Sequence, residues 1–177
     1  MFHSILEKRR SIRKFENKAV EAEKIDLLVE AALRSPSSRG FNPWEFVVVT
    51  DPGLIKQLAK TKAAGSSWME NAPLAFVICG DPEKSDVWIE DTSIATTIIH
   101  LAAASLGLGS CWIQIRERAH NDTKPAETYI QEILNMPSRL KILSMIAIGY
   151  PGEEKAGHPK SELLFEKVSF NGYGQKQ

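Results

Sequence analysis

The hydrophobic positions of the chain recur with two spacings. In segment 25–33, apolar residues follow every three or four positions and Pro36 ends the pattern, so we expect a helix with one buried face. The same spacing predicts helices in segments 54–59 and 125–134. These helices are expected to pack on a sheet through their apolar faces.

Four short apolar runs rich in β-branched residues predict strands. They are residues 46–50, 74–79, 111–115 and 142–148. Because these strands are interleaved irregularly with the predicted helices, we expect an α+β or mixed α/β layered domain.

The segment from Asp91 to Leu106 is apolar on nearly every helical face. It begins a stretch, residues 92–115, that contains no Asp, Glu, Lys or Arg and is long enough to span a bilayer. Its Thr, Ser, His and Gln residues, with interruptions at Gly107 and Gly109, favour a buried helix followed by a buried strand. A helix that is apolar on all sides must be covered on all sides, so we expect a homodimer contact there.

After residue 152 the composition changes to charged and turn residues with isolated apolar anchors. The anchors are Leu163, Leu164, Phe165, Val168, Phe170 and Tyr173. Such a segment has too little apolar surface to form its own core. We therefore expect residues 1–177 to form one domain, in which residues 152–177 are a C-terminal arm lying across a neighbouring subunit.

Charge and cysteine usage narrow the functional classes. The 22 Lys and Arg residues balance 22 Asp and Glu residues, so no whole-molecule field favours nucleic acid or an anionic membrane. Cys79 and Cys111 lie in apolar runs, which is typical of reduced intracellular thiols. The first ten residues lack a long apolar h-region and a cleavage site. We expect a cytoplasmic protein without nucleic-acid or membrane partners.

The familiar catalytic motifs are missing. The sequence has no Cys-x-x-Cys, His-Glu-x-x-His, P-loop or Gly-x-Ser-x-Gly motif, and its four histidines lack metal-ligand spacing. We therefore predict no metal site and assign no catalytic side chain.

Three segments carry the candidate chemistry. Residues 9–14 hold four cations and one hydroxyl, a set that suits a phosphate, although a solvated basic turn is favoured for the cluster alone. Loop 35–44 has small polar residues whose backbone groups stay free for the edge of a flavin ring, or it is an ordinary loop. Segment 107–114 begins with glycines that permit close approach of a flat ligand, with core packing as the alternative.

Together and in this order, the segments resemble the FMN-dependent nitroreductase family. The matching segments are RRSIRKF, SPSSRGFNPWEFVVVTDP, ENAPLAFVIC, LGLGSCWI and IAIGYPGEE, which cover almost the whole chain. The resemblance implies an α+β fold with a central mixed sheet flanked by helices. It also implies an intertwined homodimer with two FMN sites at the dimer interface.

The resemblance assigns the phosphate group of FMN to residues near both ends of the chain. The segment that matches the family's phosphate-binding segment consists of Arg9, Arg10, Ser11 and Arg13. Lys160 matches a late basic residue that helps hold the phosphate. Glu162 departs from the family, because many members carry Arg at that position.

The flavin ring is assigned to two other segments. Pro36, Ser37 and Ser38 match the loop that meets the ring, from the other subunit, and Asn42 stands where the family usually has Gln. Trp112, Ile113 and Gln114 match the segment whose backbone approaches flavin N5.

The implied activity is ping-pong hydride transfer from NAD(P)H through flavin N5 to a small-molecule electron acceptor, such as a nitroaromatic or quinone. Two alternatives stay open. One is a specialised flavin-dependent reductase, for example a reductive dehalogenase-like enzyme, and the other is a non-catalytic flavin-binding protein.

Overall fold

Four strands form one sheet in the computed structural model, which describes residues 2–176. They are β1 (Trp44–Val49), β2 (Leu74–Gly80), β3 (Gly109–Gln114) and β4 (Lys141–Gly149), in the order β1-β2-β4-β3. Every neighbouring pair is antiparallel. The α+β class is confirmed. We also expected a mixed sheet, with parallel as well as antiparallel pairing. Among the described residues, the parallel pairing is a single bridge between Ser11 and Ser110.

Five α-helices accompany the sheet. They are α1 (Phe2–Lys8), α2 (Ala22–Leu33), α3 (Pro52–Leu58), α4 (Trp88–Ser105) and α5 (Ala126–Leu134). The Asp51 carboxylate accepts a hydrogen bond from Leu54 N at 2.8 Å and caps α3. Short 3₁₀ turns occur at Ser38–Gly40, Ser67–Asn71, Lys160–Glu162 and Phe165–Lys167. None of these helices is both long enough and apolar enough to cross a membrane.

The core has two apolar layers, one on each face of the sheet. Phe76 and Ile146 face α2 and α4, whereas Val77 and Met145 face α3 and α5. Side chains alternate between the faces of a strand, so a central strand covered on both sides is apolar at every position. This explains why the whole of β2 is buried.

Helix α4 is only partly covered within one chain. Its buried face includes Ala95, Ile99 and Ala103. On the other side, Ile94 is 42% exposed and Leu101 is half-buried. The single chain therefore leaves an apolar stripe of α4 open to a further contact.

Within residues 2–176, the hydrogen bonds that join the C-terminal arm to the rest of the chain come from its first residues, up to Ala156. Glu153 and Lys155 contact the segment before α2, as described below. The six apolar anchors of the arm are all exposed, from 43% for Phe170 to 105% for Tyr173. The arm thus lacks a core contact of its own within this chain.

Candidate functional site

A basic cleft of about 500 Å³ lies where three segments meet. Residues 8–12 form one wall, residues 108–110 at the start of β3 form another, and residues 151–156 at the start of the arm close the third side. The cleft therefore brings together the N-terminal segment, the beginning of β3 and the beginning of the arm, which are far apart in sequence.

The N-terminal segment is held tightly against β3. Ile12 N donates to Ser110 O at 3.1 Å. A Cβ atom at Gly109 would lie 2.8 Å from Ile12 Cβ, which is too close for any side chain. Gly109 is therefore needed for this close approach, and the parallel bridge between Ser11 and Ser110 lies at the beginning of the outer edge of β3.

The Glu153 carboxylate holds the backbone of this segment. One of its oxygens accepts from Arg13 N at 2.6 Å and from Lys14 N at 3.2 Å, and Lys155 Nζ lies 2.9 Å from the same oxygen. These hydrogen bonds, first from Arg13 N and then from Lys155, lower the pKa of Glu153 to about 2. Lys155 Nζ also donates to Ser11 O at 3.0 Å.

Two arginines, Arg9 and Arg10, line the cleft, and Arg13 follows next to it in the chain; none of the three side chains is paired with a carboxylate within the described residues. Arg9 Nη1 contacts His100 Nε2 at 2.8 Å, Arg10 donates to the carbonyl of Ala156, and the Arg13 guanidinium lies 5.8 Å from the centroid of the Trp68 ring. Within residues 2–176, no carboxylate lies within 4 Å of any of these three guanidinium groups. Their charges are available to an anion from outside the chain.

The outer edge of β3 continues from the cleft as a row of free backbone groups. Antiparallel pairing directs alternate residues to opposite sides of a strand. Ser110 O accepts from Ile12 on the side away from β4, so Trp112 and Gln114 direct their N–H and C=O groups to that side too. Ile113 instead pairs with Met145, and its side chain is buried in the core.

The side chains of Trp112 and Gln114 are already engaged. Trp112 Nε1 donates to Gln114 Oε1 at 3.0 Å, and Gln114 Nε2 donates to Arg116 O at 3.2 Å. These bonds orient both side chains. The Trp112 carbonyl accepts a weak hydrogen bond from Cys111 Sγ at 3.6 Å, so the Trp112 N–H and the backbone groups of Gln114 are what the edge of β3 offers to a ligand.

The loop with Pro36, Ser37, Ser38 and Asn42 lies elsewhere. Ser37 Oγ accepts from Asn42 N at 2.9 Å and contacts Asn42 Oδ1 at 2.7 Å, and Ser38 N donates to Asp91 Oδ1 at 2.8 Å. Asp91 is in the first turn of α4, nine residues before His100, which is roughly 13 Å along a helix axis. A single chain therefore does not bring this loop into the basic cleft.

Lys160 is also outside the basic cleft. It lines a separate cavity with residues of α1, among them His3, Leu6 and Glu7. Lys155 is the late basic residue that contacts Ser11. Of the predicted site residues, the structure groups Arg9, Arg10, Ser11 and Arg13 near the edge formed by Trp112 and Gln114, with the Ile113 side chain turned into the core. It places Pro36, Ser37, Ser38, Asn42 and Lys160 elsewhere.

Sequence reasoning missed four residues of this site: His100, Ser110, Glu153 and Lys155. A lone histidine within the stretch of α4 that has no charged residue was one available signal. The acidic and basic residues directly after a buried strand were another. Neither signal names a partner, because each contact joins segments that are distant in sequence.

Comparisons with known proteins agree with one another. The family model described as Nitroreductase family matches residues 6–150. A solved structure, an FMN-dependent nitroreductase from Clostridium difficile R20291, is 48% identical with a TM-score of 0.94, covering 96% of this chain and 98% of that one. A protein named as a candidate NADH dehydrogenase/NAD(P)H nitroreductase from Archaeoglobus fulgidus is 34% identical over 151 residues, covering 83% of each chain. An FMN reductase [NAD(P)H] from Bacillus subtilis is 27% identical over 172 residues, covering 85% of this chain and 66% of the relative.

Proposed function

The chain belongs to the nitroreductase family, and from that membership we propose that it is an FMN-dependent NAD(P)H oxidoreductase that reduces nitroaromatic, quinone or similar small-molecule acceptors. The observation that carries this proposal is the set of unpaired arginines beside a free strand edge. The FMN-dependent nitroreductase and the FMN reductase [NAD(P)H] among its relatives support the cofactor and the electron donor.

The donor set of the basic cleft fits the phosphate of FMN. Guanidinium groups without carboxylate partners bind phosphate oxygens through strong charge-assisted hydrogen bonds. Arg9 lines the cleft with such a guanidinium group, and Ser11 and Arg13 follow it at the border of the cleft. Glu153 fixes the backbone here without approaching the arginine side chains, so it does not cancel their charge.

The strand edge fits the ring of FMN. When bound, FMN supplies the hydride chemistry, and the protein supplies orientation and electrostatics. The outward N–H of Gln114 would be available to donate to an acceptor on the edge of the ring. The positive charge of Arg13, which precedes this strand edge in the folded chain, would favour negative charge on a bound flavin. No side chain of this chain has to transfer a proton.

The completed site is proposed to need a second copy of the chain. The loop with Ser37 and Ser38 is remote from the basic cleft in one chain, and the stripe of α4 around Ile94 and Leu101 is uncovered. Pairing two copies would cover the stripe, and would let the loop of one subunit reach the ring held by the other. This homodimer accounts for both observations at once.

Two measurements test the activity. The purified protein should show flavin absorption bands, and the FMN-loaded protein should oxidise NAD(P)H faster when a nitroaromatic or quinone is added. A flavin-binding protein without catalysis would show the bands and no stimulated oxidation. A panel that includes halogenated phenols distinguishes the proposed reductase from a specialised dehalogenase-like enzyme.

The phosphate assignment has its own test. Hydrogen bonds to charged groups contribute about 1.5–3 kcal/mol each, so two arginine contacts amount to roughly two to four decades of affinity. Wild-type apoprotein should therefore bind FMN at least about a hundredfold more tightly than riboflavin. The double substitution Arg9→Ala and Arg13→Ala should remove most of that preference, with riboflavin affinity nearly unchanged.

A matched control is Arg34→Ala, which removes an exposed arginine paired with Glu30 on α2. It should leave both affinities unchanged. Equal wild-type affinities for FMN and riboflavin would refute the phosphate assignment, and a double variant that keeps the preference would place the phosphate elsewhere.

A further inference from the structure

His100 has a defined protonation pattern because of its two neighbours. Its Nε2 lies 2.8 Å from Arg9 Nη1, and a guanidinium can only donate hydrogen bonds. Nε2 is therefore the acceptor, and the ring proton of the neutral imidazole is on Nδ1. Nδ1 in turn contacts the hydroxyl oxygen of Ser110, to which it donates.

Ser110 joins this side-chain network to the backbone of the cleft. It is 2% exposed, at the beginning of β3, and its carbonyl accepts from Ile12 N. The N-terminal segment is thus tied to β3 twice, once directly through Ile12 and once through Arg9, His100 and Ser110. The second connection reaches a guanidinium, the group that faces the proposed phosphate.

A neutral acceptor suits this position better than a charged one. Burial, and then the charge of Arg9, lower the pKa of His100 to about 4, so the ring is neutral at neutral pH. A carboxylate in its place would hold Arg9 more strongly but would cancel the charge that an anion needs. The guanidinium has five N–H groups, so the bond to His100 leaves donors free for phosphate oxygens.

We propose that His100 is a positioning residue, which holds the Arg9 guanidinium towards the flavin phosphate without neutralising it and thereby sets the preference for FMN over riboflavin. This inference rests on the proposed function. It has a distinctive consequence. FMN and riboflavin differ only in the phosphate, and substitution of His100 should change the preference between them although His100 need not contact the phosphate.

The test compares FMN and riboflavin titrations of apoprotein variants. His100→Leu removes the acceptor and should weaken FMN binding about tenfold, with riboflavin affinity unchanged within about twofold. His100→Gln keeps an acceptor oxygen on a side chain of similar reach and should restore FMN binding to within about threefold of wild type. A general packing defect would weaken both flavins in both variants, and that result would overturn the inference.

Ser110→Ala provides a second variant if His100→Leu folds poorly. It keeps the small volume of the strand position and removes only the hydroxyl that accepts the hydrogen bond from His100 Nδ1. FMN affinity should fall by a few-fold and riboflavin affinity should not change. An unchanged FMN preference in folded Ser110→Ala and His100→Leu proteins would overturn the inference.

A double-mutant cycle with Arg9→Ala separates this inference from the function it rests on. If His100 acts through Arg9, His100→Leu should have no further effect on FMN affinity in the Arg9→Ala protein. Equal losses in both backgrounds would show an independent role and overturn the inference. A wild-type protein that binds no FMN would refute the proposed function itself, whereas FMN binding that is indifferent to Arg9→Ala would refute only the role of Arg9 and, with it, that of His100.

Discussion

At the scale of single residues, the arginine charges near the cleft are not neutralised, because the neighbouring carboxylate has other hydrogen-bond partners. Glu153 binds backbone N–H groups and Lys155, and a neutral histidine, not an acid, contacts Arg9. The arginine cluster could be predicted from the sequence because its residues are adjacent. Glu153, His100 and Ser110 could not, because the fold brings them there from after β4, from α4 and from β3.

The lowered pKa of Glu153 predicts a pH dependence of stability. Its folded-state pKa of about 2 is below the ordinary value of 4.5, so its ionised form is the one that folding stabilises. That stabilisation is complete above about pH 4.5 and is lost as the pH falls through 2. Glu153→Gln should therefore lower the free energy of unfolding at neutral pH, and the difference from wild type should shrink below pH 4.5.

Urea unfolding of both proteins, from neutral pH to about pH 3, measures this difference. Glu154→Gln is the control, since this neighbouring exposed carboxylate has no hydrogen bond within the described residues. A difference between wild type and Glu153→Gln that stays constant over the whole range would contradict the prediction.

Cys111 lies in β3 beside the proposed ring site, yet we expect it to act only in packing. It is 1% exposed, and burial raises the pKa of its thiol, so it is not a ready nucleophile at neutral pH. Cys111→Ala should keep NAD(P)H-dependent reduction and lose about 1 kcal/mol of stability. Steady-state kinetics and urea unfolding measure the two effects. Cys79→Ala is the matched control, and loss of turnover in folded, flavin-bound Cys111→Ala alone would be evidence against a cofactor-only mechanism.

At the scale of elements, hydrophobic spacing predicted all four strands and four of the five helices. Each of these elements has at least one face buried in a core layer, so its sequence carries the period of that burial. Helix α1 was missed because none of its seven residues is buried. The antiparallel direction of every strand pair was also not predictable, because spacing fixes which residues are buried but not which strands are neighbours.

The exposed stripe of α4 predicts a specific defect in assembly. Ile94→Glu places a charge on this stripe, and a charge buried without a partner in a dimer contact is costly. We expect sedimentation to show a species near 19.7 kDa for the variant and about twice that mass for wild type. Lys56→Glu, at an exposed position of α3 on the opposite face of the sheet, should remain dimeric. A wild-type monomer that holds flavin would exclude the dimer as a requirement of the site.

At the scale of the whole molecule, a single chain contains only part of the proposed site. The sequence predicted that the arm and α4 contact a neighbouring subunit, and in the structure Ile94 of α4 and the six apolar anchors of the arm are exposed. The position of Lys160 near α1, away from the basic cleft, was not predictable, since the path of the arm depends on what it lies against. The assignment of Lys160 to the phosphate stays a prediction.

Two truncations separate the roles of the arm. A chain ending at Pro159 keeps Glu153 and Lys155 but loses Lys160 and the apolar anchors, so its dimer should weaken while most of its FMN preference over riboflavin remains. A chain ending at Gly152 should lose both. Sedimentation and flavin titration measure these effects, with a chain ending at Gly174 as the control that retains every anchor. Full FMN affinity in the chain ending at Gly152 would contradict this division of roles.

The free outer edge of β3 also bears on how the protein survives before it acquires a cofactor. Unpaired N–H and C=O groups along a sheet edge are a template for adding a strand from another molecule, and beyond the bridge at Ser110 this edge has no partner strand within residues 2–176. A flavin lying along it would block that template. Newly made chains in riboflavin-starved cells would then be prone to cross-β aggregation, so the vitamin supply would govern the yield of intact protein as well as its activity.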